Sequence, residues 1–211
     1  MSRLYIGIYA IFLILFGLIG YFAHQLPFFP GDSTISLWLQ RITLPFVAWL
    51  MVAVSYAGAT LPAVVTVTLT AAVLWFSGRK LEPVFIVLLT SLAALLNWLL
   101  KLLVSRPRPG HEFIQALGEN GGFPSGHTTY AVVFFGFLFY LLAKLVKRPL
   151  VVGALRWLLV VLIIFSGVSR VYLGAHWPSD ILGSLLLGGL LLAPAIVLYD
   201  NYAKSRQKTG G

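Results

Sequence analysis

"LYIGIYAIFLILFGLIGYFA", residues 4–23, is twenty residues without a single charge. A helix rises about 1.5 Å per residue, so such a run reaches about 30 Å, the thickness of a bilayer's hydrocarbon core. The run is longer than the apolar core of a secretion signal and no small-residue cleavage pattern follows it, so it is expected to remain in the membrane as a helix. The rest of the chain agrees. Of 211 residues, 59% are hydrophobic and 10% charged, with a mean hydropathy of +0.93, values that set it apart from an ordinary soluble domain.

Further apolar runs lie at residues 46–77, 83–100, 128–143, 150–168 and 181–199. With the first run they predict an all-α polytopic membrane protein, one domain over residues 1–211 with six transmembrane helices. The second run, 32 uncharged residues containing Pro62, is too long for one simple span. It predicts an interfacial piece followed by a spanning helix from about Leu61. Between the first two runs, Ile35, Trp38, Leu39 and Ile42 recur at the spacing of one helical face. A short amphipathic helix over residues 32–43 is therefore expected in the outer interface, capped by Asp32 or Ser33.

Charge predicts the orientation, because short cytoplasmic loops collect Lys and Arg. An N-terminus inside puts Arg3, Arg79, Lys80, Lys144, Lys147, Arg148, Arg156, Lys204, Arg206 and Lys208 on the cytoplasmic side, ten of the fifteen basic residues. Both termini are thus expected in the cytoplasm and the protein in the plasma membrane. The net charge of +9 is accounted for by this topology and by anionic lipid headgroups, without nucleic acid. The absence of cysteine excludes disulfides and thiolate chemistry.

Some polar residues remain that topology does not explain. After the third run comes "KLLVSRPRPGHEF", residues 101–113, and the chain returns to the membrane through "FPSGHTTY", residues 123–130; after the fifth comes "SRVYLGAHWPSD", residues 169–180. Two spans separate the loops 101–127 and 169–180, so they share one side of the membrane whatever the orientation. They bring Lys101, Arg106, Arg108, Ser125, His127, Arg170, His176 and Asp180 to one surface, in a chain with 15 basic and 6 acidic residues. Guanidinium groups bind phosphate oxygens in pairs and lysine adds a compact charge. Ser125 is a plausible helix cap, and the backbone N–H groups that follow it, starting at Gly126, favour an anion. Pro178 suits a first helical turn, which puts Asp180 in the same turn and within reach of His176. A histidine oriented by a carboxylate is a better nucleophile or base, and a second histidine can protonate a leaving oxygen. The combination describes phosphoryl transfer, with an extracytoplasmic site.

These residues resemble the type 2 phosphatidic acid phosphatase superfamily of membrane lipid phosphatases. Three pieces carry the resemblance: Lys101, six residues, then Arg108-Pro109; Pro124-Ser125-Gly126-His127; and Ser169-Arg170, five residues, His176, three residues, Asp180. The resemblance implies that His176 attacks phosphorus and becomes a phosphohistidine, that Asp180 orients it, and that His127 protonates the leaving group. It implies that Lys101, Arg108 and Arg170, with Ser125 and Gly126, hold the phosphate. No metal and no other cofactor is implied. The compact length is similar to that of bacterial members acting on phosphatidylglycerol phosphate or undecaprenyl pyrophosphate, so the expected partners are a lipid phosphate and the bilayer.

Arg106 lacks the family's spacing from Lys101 and is expected at a second phosphate or headgroup, with His111 as another possible substrate contact. His24 reads as an interfacial residue. Trp38, Tyr130, Tyr172 and Trp177 read as an interface belt, and the glycine-rich residues 118–122 as a flexible strip at the site's mouth. Ser184 and Gly188 have the spacing of a small-residue stripe, compatible with a homodimer that nothing requires. Two other functions fit parts of the pattern: a lipid phosphotransferase of the same fold, and a non-catalytic anion-binding transporter, which the nearly charge-free spans disfavour.

Overall fold

In a computed structural model of the protein, residues 3–109 and 121–209 are described, and all of their regular structure is helical. The elements are α1 (Arg3–Gln25), α2 (Asp32–Gln40), α3 (Pro45–Ala57), α4 (Thr60–Phe76), α5 (Leu81–Val104), α6 (Gly126–Leu145), α7 (Pro149–Tyr172) and α8 (Pro178–Thr209). Five of them, α1, α5, α6, α7 and α8, are long and apolar enough to cross a membrane; α3 and α4 together make a sixth candidate, bent by 62°.

That bend lies at Gly58 and Ala59, so α4 starts within a residue of the expected Leu61. Pro62 falls in the first turn of α4, where a helix has no acceptor for the N–H that proline lacks, so it starts the helix instead of breaking it. α3 stays at one end of the bundle. The Tyr172 hydroxyl donates to the Ile42 carbonyl (2.7 Å), and Arg170 Nη1 donates to Ser55 Oγ (2.6 Å), both from the last turn of α7. α4 then runs antiparallel to α5, from Thr60 beside Lys101 to Trp75 beside Pro83.

The later helices extend beyond their apolar runs. Lys101 and Arg170 sit on the last turns of α5 and α7 and so belong to helix ends and not to loops, while Asp180 lies on the first turn of α8, as Pro178 led one to expect. Charge is costly in the hydrocarbon core but not in a helix, and the helices continue into the interface.

α2 ends at Gln40, shorter than expected, and its polar stripe is the one turned to the protein. Its buried residues are Asp32 and Ser36, with Gln40 on the same stripe donating to the Val171 carbonyl (3.2 Å), while Ile35, Leu37 and Trp38 are exposed. The polar stripe grips the ends of α7 and α8, and the apolar residues face outward, where lipid solvates them.

Two clusters form the apolar interior. The larger joins α5, α6 and α8 through Ile86, Leu89, Phe134, Phe137, Leu141 and Tyr199, with Phe85 and Phe137 meeting the Tyr199 ring edge-on. At its outer edge Tyr140 and Lys144 both reach Asp200. The smaller holds Ala23, Val104 and Phe123 beneath the site. The Phe123 ring fills the space beside Gly183, where an added Cβ would lie 2.2 Å from it, so only glycine fits there. Ser184 and Gly188 face inward: Gly188 packs on Val132, and Ser184 Oγ binds between α6 and α8.

Candidate active site

Four helix ends converge: the C-termini of α5 and α7 and the N-termini of α6 and α8. α5 stops at Val104 because Pro107 and Pro109 cannot continue it and restrict the residues before them; Ser105 closes it in the left-handed region at φ 46°. The two arginines that follow have different destinations.

Arg106, expected at a headgroup, is buried at 1% exposure among carboxylates. Its Nη1 donates to Asp180 Oδ1 (2.5 Å) and Ser179 Oγ (2.8 Å), and its Nη2 to Asp32 Oδ2 (3.0 Å). Asp32 also accepts from the Phe29 N–H (2.7 Å), the Ser179 N–H (2.9 Å) and the Ser179 hydroxyl (2.6 Å). Asp32 or Ser33 was expected to cap α2; neither does, and Asp32 satisfies the first turn of α8 instead. Breaking one partner out of such a buried pair costs about 3–5 kcal/mol, because the other charge is left uncompensated. Arg108 is only half-buried, and its charge acts on His176 together with those of Lys101 and Arg170.

The α6 start is held from two sides. The Ser125 N–H donates to Ser184 Oγ (2.7 Å) on α8, and Asn97 Nδ2 on α5 donates to Thr129 Oγ1 (3.2 Å). Ser125 occupies the N-cap position, but its hydroxyl accepts from Thr128 Oγ1 (3.3 Å) and makes no bond to a cap N–H. The first-turn N–H groups of Gly126 and His127 have no acceptor within the helix by construction. The His127 ring packs against Gly58 at the α3–α4 bend, where an added Cβ would lie 2.9 Å away, so glycine at the bend makes room for this histidine.

His176, in the turn between α7 and α8, is 1% exposed. Its Nδ1 lies 2.7 Å from the Gly122 carbonyl oxygen and 3.5 Å from Asp180 Oδ2, so the hydrogen bond goes to the backbone and the carboxylate stands behind at ion-pair distance. A carbonyl only accepts, so Nδ1 carries the hydrogen and the neutral ring keeps its lone pair on Nε2. Burial lowers the His176 pKa well below its usual value, the charges of Arg170, Arg108 and Lys101 lower it further, and the Gly122 bond opposes them. A buried, neutral imidazole with a free Nε2 among three cations is equipped to attack an anionic phosphorus.

A cavity of about 680 Å³ leads away from His127, Gly126 and Lys101 between α4, α5 and α6. Val64, Val87, Trp98 and Leu102 line it and are themselves exposed on the bundle's flank, so it opens sideways. A second hollow of about 470 Å³, sharing Thr68 and Val87, continues it to Trp75 and Pro83. From Lys101 to Pro83 this groove follows α5 for about 27 Å, close to the hydrocarbon thickness.

Residues 81–204, which carry all of these side chains except Asp32 and the α3 and α4 contacts, match the family model described as the PAP2 superfamily. The chain belongs to the PAP2 superfamily. This PAP2 protein is 29% identical to phosphatidylglycerophosphatase B of Bacillus subtilis strain 168 over 183 residues, 84% of this chain and 88% of that one. It is 31% identical to undecaprenyl-diphosphatase BcrC of the same organism over 133 residues, 59% of this chain and 63% of the other. Its fold is similar to the crystal structure of the first transmembrane PAP2 type phosphatidylglycerolphosphate phosphatase from Bacillus subtilis, with a TM-score of 0.78 and 23% identity, covering 93% and 96% of the two chains. The expected enzyme class, a lipid phosphatase, agrees with the family and with these names.

The structure thus brings together Lys101, Arg108, Ser125, Gly126, His127, Arg170, His176 and Asp180. His111 and residues 118–120 lie outside the described residues. His24 holds the Val104 carbonyl at the end of α5 (3.1 Å), and Trp177, read as part of an interface belt, is buried and donates to the Pro107 carbonyl (3.2 Å). Asp32, Ser55, Asn97, Ser179 and Ser184 were missed. Only Asp32 carried a signal, as one of six acidic residues in a membrane chain.

Proposed function

We propose that this PAP2 protein hydrolyses phosphomonoester or pyrophosphate headgroups of membrane lipids, phosphatidylglycerol phosphate or undecaprenyl pyrophosphate, through a phosphohistidine and without a metal. The observation that carries this reading is the Nδ1–H of His176 turned to Gly122, which leaves Nε2 as the nucleophile beside Lys101, Arg108 and Arg170. Nε2 attacks phosphorus, the bond from phosphorus to the lipid oxygen breaks, and His127 gives that oxygen its proton. Water then attacks the phosphohistidine, the P–N bond breaks, and His127 takes the proton back. Lys101, Arg108, Arg170 and the first-turn N–H groups of α6 neutralise the equatorial oxygens as charge builds on them. Asp180, behind Nδ1, stabilises the ring when it becomes positively charged.

The sideways groove supports a lipid substrate: its headgroup reaches the cations while its tails stay between α4 and α5. In this reading α4 completes six crossings, both termini are cytoplasmic and the site faces the extracytoplasmic side, in keeping with the excess of Lys and Arg at the opposite end.

The test is phosphate release by purified protein from the two lipids side by side, in EDTA. Release from either is expected. Activity lost in EDTA and restored by Mg²⁺ would overturn the metal-free mechanism. Release that appears only when an acceptor lipid is added would instead favour a phosphotransferase, which shares the phosphohistidine step.

A further inference from the structure

Three sequence motifs account for the residues around the reacting phosphate, but the buried charge network extends past them to α2. Asp32, 3% exposed, lies far from Asp180 in sequence, yet both carboxylates meet the same guanidinium. We propose that Asp32 is a positioning residue for the reaction centre, holding Arg106 so that Arg106 fixes the Asp180 carboxylate against the Nδ1 edge of His176. The inference rests on the reading of His176 as the nucleophile.

The geometry supports it bond by bond. Asp180 has no rotational freedom left: Oδ1 accepts from Arg106 and Oδ2 from the Trp177 N–H (2.9 Å), which holds Oδ2 3.5 Å from Nδ1. Arg106 could pivot about a single carboxylate. A second one, on its other terminal nitrogen, defines the plane of the fork. The Phe29 ring, 4.8 Å from the guanidinium carbon, closes one face of that plane. Asp32 also binds the N–H and the hydroxyl of Ser179, so it anchors the helical turn that carries Asp180. Its own place is secured by the Phe29 N–H, ahead of α2.

The charges bear on catalysis as well as on shape. Lys101 from α5, Arg108 beyond it and Arg170 from α7 act on His176, while Asp180 from α8 stands behind it. A lone Arg106 would draw the whole of Asp180's charge away from the ring. Sharing Arg106 with Asp32 leaves Asp180 able to stabilise a ring that turns positive during attack.

Asp32→Asn keeps the shape and one acceptor but removes the charge; Arg106→Lys keeps the charge but cannot bridge two carboxylates. In detergent, both variants are expected to lose kcat on the order of 10- to 100-fold, with KM for phosphatidylglycerol phosphate or undecaprenyl pyrophosphate within about twofold, as for a small misplacement of reacting groups. A structural role alone would lower thermal stability and leave kcat per folded molecule native, and that result would overturn the proposal. A raised KM with native kcat would also overturn it, since Arg106 would then be touching substrate. A second readout needs no turnover. With ¹⁵N-labelled histidine, the His176 Nδ1 signal, identified by its loss in His176→Gln, is expected to move in Asp32→Asn; an unmoved signal would sink the idea. Should the unaltered protein release phosphate from neither lipid, the proposed function fails, and the Nδ1 signal alone decides the role of Asp32.

Discussion

The two ends of the bundle are held together by different means. At the end bearing the site, the most deeply buried side chains include Arg106, His176, Asp180, Thr128, Thr129 and Ser184, joined by hydrogen bonds and ion pairs. At the other end Ile86, Phe134, Phe137 and Leu141 are buried and joined by apolar contact, with polar bonds from Tyr199 to Glu82 and at the Asp200 edge. In a bilayer, apolar surface gains little by leaving lipid for protein, so packing and polar bonds decide where helices meet. The apolar end can therefore tolerate change in chemistry if volume is kept, whereas at the polar end a network of specific bonds must be kept.

Substitutions at the two ends should separate cleanly. The largest effect is expected from His176→Ala, which removes the proposed nucleophile: turnover in the lipid assay should fall by more than about 10³-fold while the protein stays folded. Substantial residual turnover would move the nucleophile elsewhere. Arg170→Gln should follow, lowering kcat/KM by about 10²–10³-fold through loss of one charged donor to the developing phosphate charge. An effect within tenfold would make Arg170 a structural partner of Ser55 instead.

The pH profile gives a smaller and signed effect. Only the neutral ring is nucleophilic, and burial with the charges of Arg170, Arg108 and Lys101 holds the His176 pKa well below 6.5. The acid limb of kcat/KM, which reports the free enzyme, should therefore lie below pH 6.5. Lys101→Gln removes one of the opposing charges, so His176 protonates more easily and the limb should shift to higher pH. A shift the other way would contradict the assigned surroundings of the ring. At the apolar end, Phe137→Ala should cost about 3 kcal/mol of stability, read by thermal unfolding in detergent, and leave kcat per folded molecule unchanged. A fall in kcat would show that the two ends are coupled.

How far the sequence revealed this contrast depended on distance along the chain. The spans were legible because hydrocarbon thickness translates directly into run length, and the cations and histidines because few polar residues interrupt those runs. The start of α4 at Thr60 was legible to within a residue from the length of the apolar run, whereas the contact of Gly58 with His127 at the bend joins positions 69 apart and left no local signal. Arg106 was assigned to a headgroup because its neighbours in sequence are cationic. Its carboxylate partners lie on α2 and α8, and no local pattern predicts a meeting between them. The outward apolar face of α2 was legible from Ile35 and Trp38, as an interfacial helix requires, but that its buried stripe, Asp32, Ser36 and Gln40, would grip α7 and α8 was not.

The groove along α4 and α5 opens to the flank of the bundle and not to the solution above it. A substrate arriving that way diffuses in two dimensions, so encounter frequency follows the number of substrate molecules per unit area of membrane. With a substrate taking that route, adding inert lipid or detergent at constant total substrate would slow the reaction by surface dilution, and the Michaelis constant would have to be expressed as a mole fraction.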